Sequence, residues 1–372
     1  MKELALYIHI PFCRRKCRYC DFVSYDYDED ICNSYINSLI EEICIYKDKN
    51  YLIKTAFIGG GTPSLIDIRH IEQIINAIDT SFTADITEFS IELNPESVSE
   101  DKIKAYKSLG INRVSLGVQS LSERLLSALG RIHNPNDAIK ALEIIRKHFD
   151  NVNIDLMTGL PYETEADADK SLKIINAFEI PHISLYTLML EESAPLYKDA
   201  LSGNIELPDN DESAALFERT SGLLEDAGIY RYEISNFAKN GYLCRHNLTY
   251  WTAGEYMGLG LGAHGYLNEE RYSNHTDFKS YSDNLSRGSA PVSIRRYIDS
   301  DESEFEYIML GLRLVDGIDL TRFKERYNKD FMKAYYKQLK ELEDYLIISD
   351  KRVSARKEYL NIINSIILKF MK

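Results

Sequence analysis

The chain has 372 residues, 44% hydrophobic and 27% charged, with 58 acidic against 44 basic side chains and a formal net charge of −14. That balance suits a globular chain of about two or three domains with an ample core. The acidic excess repels a phosphate backbone on average and argues against a nucleic-acid partner. No apolar run is long enough to span a bilayer, which leaves open only peripheral contact with a membrane. A strand-like run begins almost at once, so no signal peptide is expected. The cysteine pattern points to a reducing, cytoplasmic setting rather than a disulfide framework.

Residues 4–10 are apolar and β-rich and predict the first strand. Cys13, Cys17 and Cys20 follow at C-x3-C-x2-C. Ile31, Tyr35, Ile36, Leu39, Ile40 and Ile43 then recur at helical spacing. Strands are predicted at 55–58, 88–93, 113–117, 153–157 and 182–186. Helices at 71–78, 99–109, 121–129, 135–148 and 167–178 lie between them, with Gly110 as a helix stop. Strands joined by helical crossovers imply a parallel sheet, with polar strand ends converging on one face. Alternation alone allows either an open partial barrel or a doubly wound sheet.

Residues 191–230 read as mostly helical. Residues 231–267 are rich in glycine and aromatics, and 268–302 are polar without clear periodicity. Helices return from 303 to 314 and from 331 to 342. A small β wing is expected at 345–349 and 351–354, and a last helix at 358–370. The expected domains are 1–230, a connector at 231–302 and a helical domain at 303–372.

Three thiolates in one loop can hold three corners of a [4Fe–4S] cube and leave one iron open to an outside chelator. Structural zinc usually takes four ligands, often as two C-x2-C pairs, and no second pair exists here. Cys32 and Cys44 read as helix thiols. Arg14, Arg15, Lys16 and Arg18 offset thiolate charge, or dock an acidic electron donor. Gly59-Gly60-Gly61-Thr62-Pro63 ends the second strand, where glycine lets backbone groups come close to a ligand. Glu92, Gln119 and Asp155 end the next three strands, and inward charges of this kind need partners.

The cysteine spacing and the glycine run resemble the radical S-adenosylmethionine (SAM) superfamily. The resemblance implies an α/β fold, an open (β/α)6 partial barrel of the TIM type. It places a [4Fe–4S] cluster on Cys13, Cys17 and Cys20, with the amino and carboxylate groups of SAM on the open iron. Gly60, Gly61 and Thr62 then match the segment that meets SAM's amino group. Glu92, Gln119, Arg131 and Asp155 match positions that hold its ribose and methionine parts, and Tyr7 and Tyr19 also match SAM-site positions. The chemistry implied is one-electron cleavage of SAM to methionine and a 5′-deoxyadenosyl radical, fed by a low-potential donor such as a flavodoxin or ferredoxin.

Three segments, Tyr-Ile-His-Ile-Pro-Phe-Cys, Gly-Gly-Gly-Thr-Pro-Ser and Asn-Ile-Asp-Leu-Met-Thr-Gly-Leu-Pro, are similar to the oxygen-independent coproporphyrinogen III oxidase family of porphyrin biosynthesis. Its decarboxylating members carry a further cysteine two residues past the third. Here that residue is Phe22. His246 to Trp251 reads H-N-x-x-Y-W and resembles the HemW-type haem chaperones. That resemblance implies haem binding near His246, Tyr250 and Trp251 and delivery to an acceptor protein, with a coproporphyrinogen dehydrogenase as the alternative. Histidine is a common axial ligand of haem, and aromatics pack on its face. From spacing alone, a buried histidine among core aromatics is equally open.

Overall fold

Strand β1 (Lys2–Ile10) shows how the barrel is built. Leu4, Leu6, Ile8 and Ile10 share one face by period-two alternation. They enter the main apolar core with Ile36, Leu39 and Ile43 of helix α1 (Glu29–Ile45). The Asp28 carboxylate starts that helix by accepting from the Ile31 N–H at 3.0 Å. The computed structural model describes residues 1–47 and 49–371, so Lys372 of the expected C-terminal domain lies outside the described residues.

The unit then repeats through β2 (Tyr51–Gly60), α2 (Ile68–Ser81), β3 (Thr83–Leu93), α3 (Glu100–Ser108) and β4 (Arg113–Gln119). It continues with α4 (Glu123–Ala128), α5 (Pro135–Ile145), β5 (Val152–Thr158), α6 (Glu165–Ala177) and β6 (His182–Thr187). Strands β1 to β6 pair in sequence order, all parallel. They form an open (β/α)6 partial barrel.

The chain does not leave the sheet after β6. Helices α7 (Pro195–Leu201) and α8 (Asn210–Asp226) lead to β7 (Tyr230–Arg231) and β8 (Asn236–Ala238), and β8 pairs antiparallel with β6. Helix α9 (Arg245–Trp251) follows, and then β9 (Tyr256–Leu259), which pairs parallel with β1. Strands β10 (His264–Leu267), β11 (Glu270–Asn274) and β12 (Val292–Tyr297) extend that flank, with α10 (Phe278–Leu285) between the last two. The full order is β12-β11-β10-β9-β1-β2-β3-β4-β5-β6-β8-β7. Residues 268–302 are therefore regular structure despite their polar sequence. Edge strand β12 is largely exposed, so no apolar alternation marks it.

Residues 300–370 build a second apolar core from Ile308, Phe323, Phe331, Tyr335, Leu339 and Phe370. Its elements are α11 (Ser300–Gly311), β13 (Ile318–Asp319), α12 (Leu320–Tyr327), α13 (Phe331–Ala334) and α14 (Tyr336–Glu341). They are followed by β14 (Leu346–Ile348), β15 (Arg352–Ala355) and α15 (Ile363–Leu368). The wing falls where the sequence places it and gains β13 as a third strand. The stretch 331–342 is two short helices rather than one, and the last helix opens with a 3-10 turn at Lys357–Ile362. Among the described residues, no helix is long and apolar enough to cross a membrane.

Candidate functional site

At the C-terminal ends of the barrel strands lies a cavity of about 350 Å3. Cys13, Cys17 and Cys20 line one wall. Their loop is held by backbone bonds from Arg18 N–H to Leu129 C=O and from Leu196 N–H to Arg18 C=O, at 3.0 and 2.9 Å. The Arg18 guanidinium also pairs with Asp199. Arg131 donates from Nη1 to Cys17 Sγ at 3.4 Å, and Thr62 from Oγ1 to Cys13 Sγ at 3.6 Å. Burial pushes the Cys13 and Cys20 thiols up.

The glycine run is shaped by this loop. The Gly61 and Thr62 N–H groups donate to the Ile10 and Phe12 carbonyls at 2.8 and 2.7 Å. A Cβ on Gly61 would stand 2.7 Å from the Phe12 oxygen. Gly60 has φ +112°, and a Cβ there would meet the His9 ring at 2.4 Å. The glycines thus let two protein segments close on each other at the cavity rim.

The strand-end carboxyls line the same cavity. Glu92 accepts from the Gly60 N–H at 2.9 Å, yet burial, followed by repulsion from Asp155, pushes it up to about 8. Burial also raises Asp155, against hydrogen bonds from Ser184, Asn153 and Ser115. Gln119 is left-handed at φ +63°, where the β4–β5 register shifts, so a non-glycine residue is held in a rare conformation facing the cavity. Burial raises the Tyr19 phenol, which Arg131 partly offsets.

Every residue assigned from the sequence to the cluster and SAM lines this cavity except Tyr7. Tyr7 lies beneath it, with its hydroxyl 3.0 Å from His9 Nδ1. The cavity adds Asn94, Met157 and Tyr186, which sequence reasoning missed. Asn94 and Met157 stand two residues beyond Glu92 and Asp155, and Tyr186 two beyond Ser184. Period-two alternation was the signal that finds them. Among the described residues, no group of His, Cys, Asp and Glu is gathered to hold a single metal ion. A cube takes one thiolate per iron, so its ligands spread along a wall. The half-buried thiols, the cation beside them and the crowded carboxyls in the same cavity suit a cluster with a cationic ligand.

The H-N-x-x-Y-W residues lie elsewhere. Helix α9 plugs the barrel interior beneath the cavity. His246 is 1% exposed, and both its ring nitrogens are engaged. Nδ1 meets Thr55 Oγ1 at 3.0 Å and Nε2 meets the Tyr250 hydroxyl at 2.7 Å. Burial, aided by Arg113, lowers its pKa to about 3. Glu88 accepts from the Arg245 and His246 N–H groups, both at 2.9 Å, and from Cys244 Sγ at 3.4 Å. Trp251 faces a narrow cleft with Tyr307, Leu314 and Ile318. In this conformation the motif and the cysteine cavity are separate places.

The radical SAM superfamily pattern matches residues 7–175, and the HemN C-terminal domain pattern matches 298–361. The heme chaperone HemW of Bacillus subtilis is 35% identical, covering 91% of both chains. This chain belongs to the HemW family. The heme chaperone HemW of Lactococcus lactis is 33% identical over 100% of this chain and 98% of its own length. The coproporphyrinogen III oxidase HemN of Escherichia coli, a radical SAM enzyme, shares the fold with a TM-score of 0.85. The match covers 99% of this chain and 90% of HemN at 19% identity, a likeness of fold alone. Radical SAM membership implies a [4Fe–4S] cluster and SAM, which the cavity residues fit.

Proposed function

We propose that this chain is a cytoplasmic haem chaperone, binding haem and passing it to an acceptor protein on a scaffold that also carries a [4Fe–4S] cluster and SAM. The observation that carries the reading is end-to-end similarity to HemW proteins. Phe22, where the decarboxylating oxidases carry a fourth cysteine, supports it over the oxidase alternative. Cys13, Cys17 and Cys20 would hold the cluster. Bound and reduced, it would supply an electron to the sulfonium of SAM. Arg131 and Thr62 orient the thiols. The Glu92 and Asp155 carboxyls hold a cationic ligand, whose charge relieves their mutual repulsion. Met157 and Tyr186 exclude water from the far wall. Arg14, Arg15 and Lys16 at the outer rim offer a basic landing for an acidic electron donor.

Axial ligation through His246 Nε2 requires that the Tyr250 hydroxyl leave it. Haem titration followed at the Soret band tests the reading, with Trp251 fluorescence as a second probe. A saturable Soret change that His246→Ala weakens is expected, and Tyr250→Phe should bind haem faster than wild type. No saturable change in wild type overturns the reading. So does formation of protoporphyrinogen from coproporphyrinogen by the reconstituted protein with SAM and a reductant.

A further inference from the structure

Two of the three cluster thiols are tied to each other through side chains. Thr62 Oγ1 donates to Cys13 Sγ, and Thr62 itself accepts from Asn94 Nδ2 at 2.9 Å. Asn94 Oδ1 accepts from Arg131 Nη2 at 2.7 Å, and the same guanidinium donates from Nη1 to Cys17 Sγ. The path Cys13–Thr62–Asn94–Arg131–Cys17 is a continuous hydrogen-bonded girdle. Asn94 is the link that joins the two thiol donors, donating to Thr62 and accepting from Arg131 at once, which an amide can do and a carboxylate cannot.

The surroundings hold Asn94 in that orientation. Its backbone N–H donates to Ser64 Oγ at 3.2 Å. Arg131 Nη2 is braced by the Gly117 carbonyl at 2.8 Å. A Cβ on Gly117 would stand 2.9 Å from Asn94 Oδ1, so a side chain at this position on β4 would push against the amide. Cys20 has no place in the girdle.

From this geometry we infer that Asn94 is a positioning residue of the cluster site, setting the donors aimed at two of its three thiolates and through them its reduction potential. The inference rests on the cluster reading above. Hydrogen bonds to thiolate sulfur, and the cations behind them, tune such potentials, and groups that orient ligands act one step removed from the metal. Asn94 touches no thiol itself. It fixes how Thr62 and Arg131 do.

Two measurements test it. In the cluster-free protein, alkylation rates of Cys13, Cys17 and Cys20 are followed by peptide mass spectrometry. Asn94→Ala should change the Cys13 and Cys17 rates several-fold and leave Cys20 unchanged. Asn94→Asp keeps an acceptor for Arg131 but cannot donate to Thr62, so it should change Cys13 more than Cys17. In the anaerobically reconstituted protein, an EPR-monitored redox titration should give a more negative potential for both variants. Unchanged thiol rates, or all three rates moving together, would overturn the inference, as would unchanged potentials. Failure of wild type to take up a cluster would sink the cluster reading instead, and the thiol rates would still judge the girdle.

Discussion

The barrel holds two polar layers that use the same residue types in opposite ways. The upper one, at the strand C-termini, includes Glu92, Gln119, Arg131 and Asp155 around a cavity. The lower one includes Glu88, Arg113, His182 and His246, all at least nine-tenths buried. Each lower residue precedes an upper one or its neighbour on the same strand, or plugs between strands. Thr55 to Gly60 on β2, for instance, is five steps, or about 17 Å. The lower layer pairs largely within itself, although Arg113 Nε finds no partner. His182 meets Asn153 Oδ1 at 2.6 Å and the Tyr232 hydroxyl at 2.9 Å, while Glu88 takes donors from α9 and Cys244. The upper carboxyls instead crowd each other beside open space. Polarity inside a barrel becomes a binding site where crowded charges border open space.

The largest test of this contrast is Glu88→Ala. It orphans the α9 N–H groups and the Cys244 thiol and leaves the buried Arg113 guanidinium less compensated. A loss of about 3–5 kcal/mol in urea denaturation is expected. A loss near zero would place this layer with the surface.

Glu92→Gln should do the reverse in the cluster-free protein. Burial raises the folded pKa to about 8 from the ordinary 4.5, so the folded state holds the extra proton between those values. This contribution to wild-type stability is complete below pH 4.5 and falls as pH rises towards 8, by at most about 1.4 kcal/mol per pH unit. The Gln variant should lack that slope and be more stable than wild type at pH 8. Parallel pH profiles in denaturant melts would refute a crowded carboxyl.

His246→Gln probes the opposite linkage. The folded pKa of about 3 lies below the ordinary 6.5, so the neutral ring stabilises fully above pH 6.5 and less as pH falls towards 3. The variant should cost about 1–2 kcal/mol at pH 7 and remove this acid-side loss, measured by thermal melts from pH 4 to 7. Thr55→Val is the mildest change. It removes only the partner of Nδ1 and should cost about 1 kcal/mol.

Much of the fold was legible because its signals are local. The apolar repeat in 31–43 marks α1, and the cysteine spacing marks its loop without knowledge of distant residues. Strand-end residues such as Glu92 and Asp155 were readable because a parallel sheet brings strand C-termini together. Asn94, Met157 and Tyr186 carried the same two-residue signal but no charge to draw notice. Strand β12 was not readable, because an exposed edge imposes no apolar pattern.

The alternation of strands and helices from β1 to β6, the thiol loop and the polar strand ends were determined by sequence alone, since each follows from periodicity or spacing within a few residues. Which polar groups face a cavity and which close on one another was decided only in three dimensions. His246 and Thr55 are 191 residues apart in the chain, and Glu88 and His246 are 158 apart. Such partners are chosen by the closing of the barrel, which no local pattern encodes. The same residue types therefore become a binding wall at one level of the barrel and a sealed core at the other.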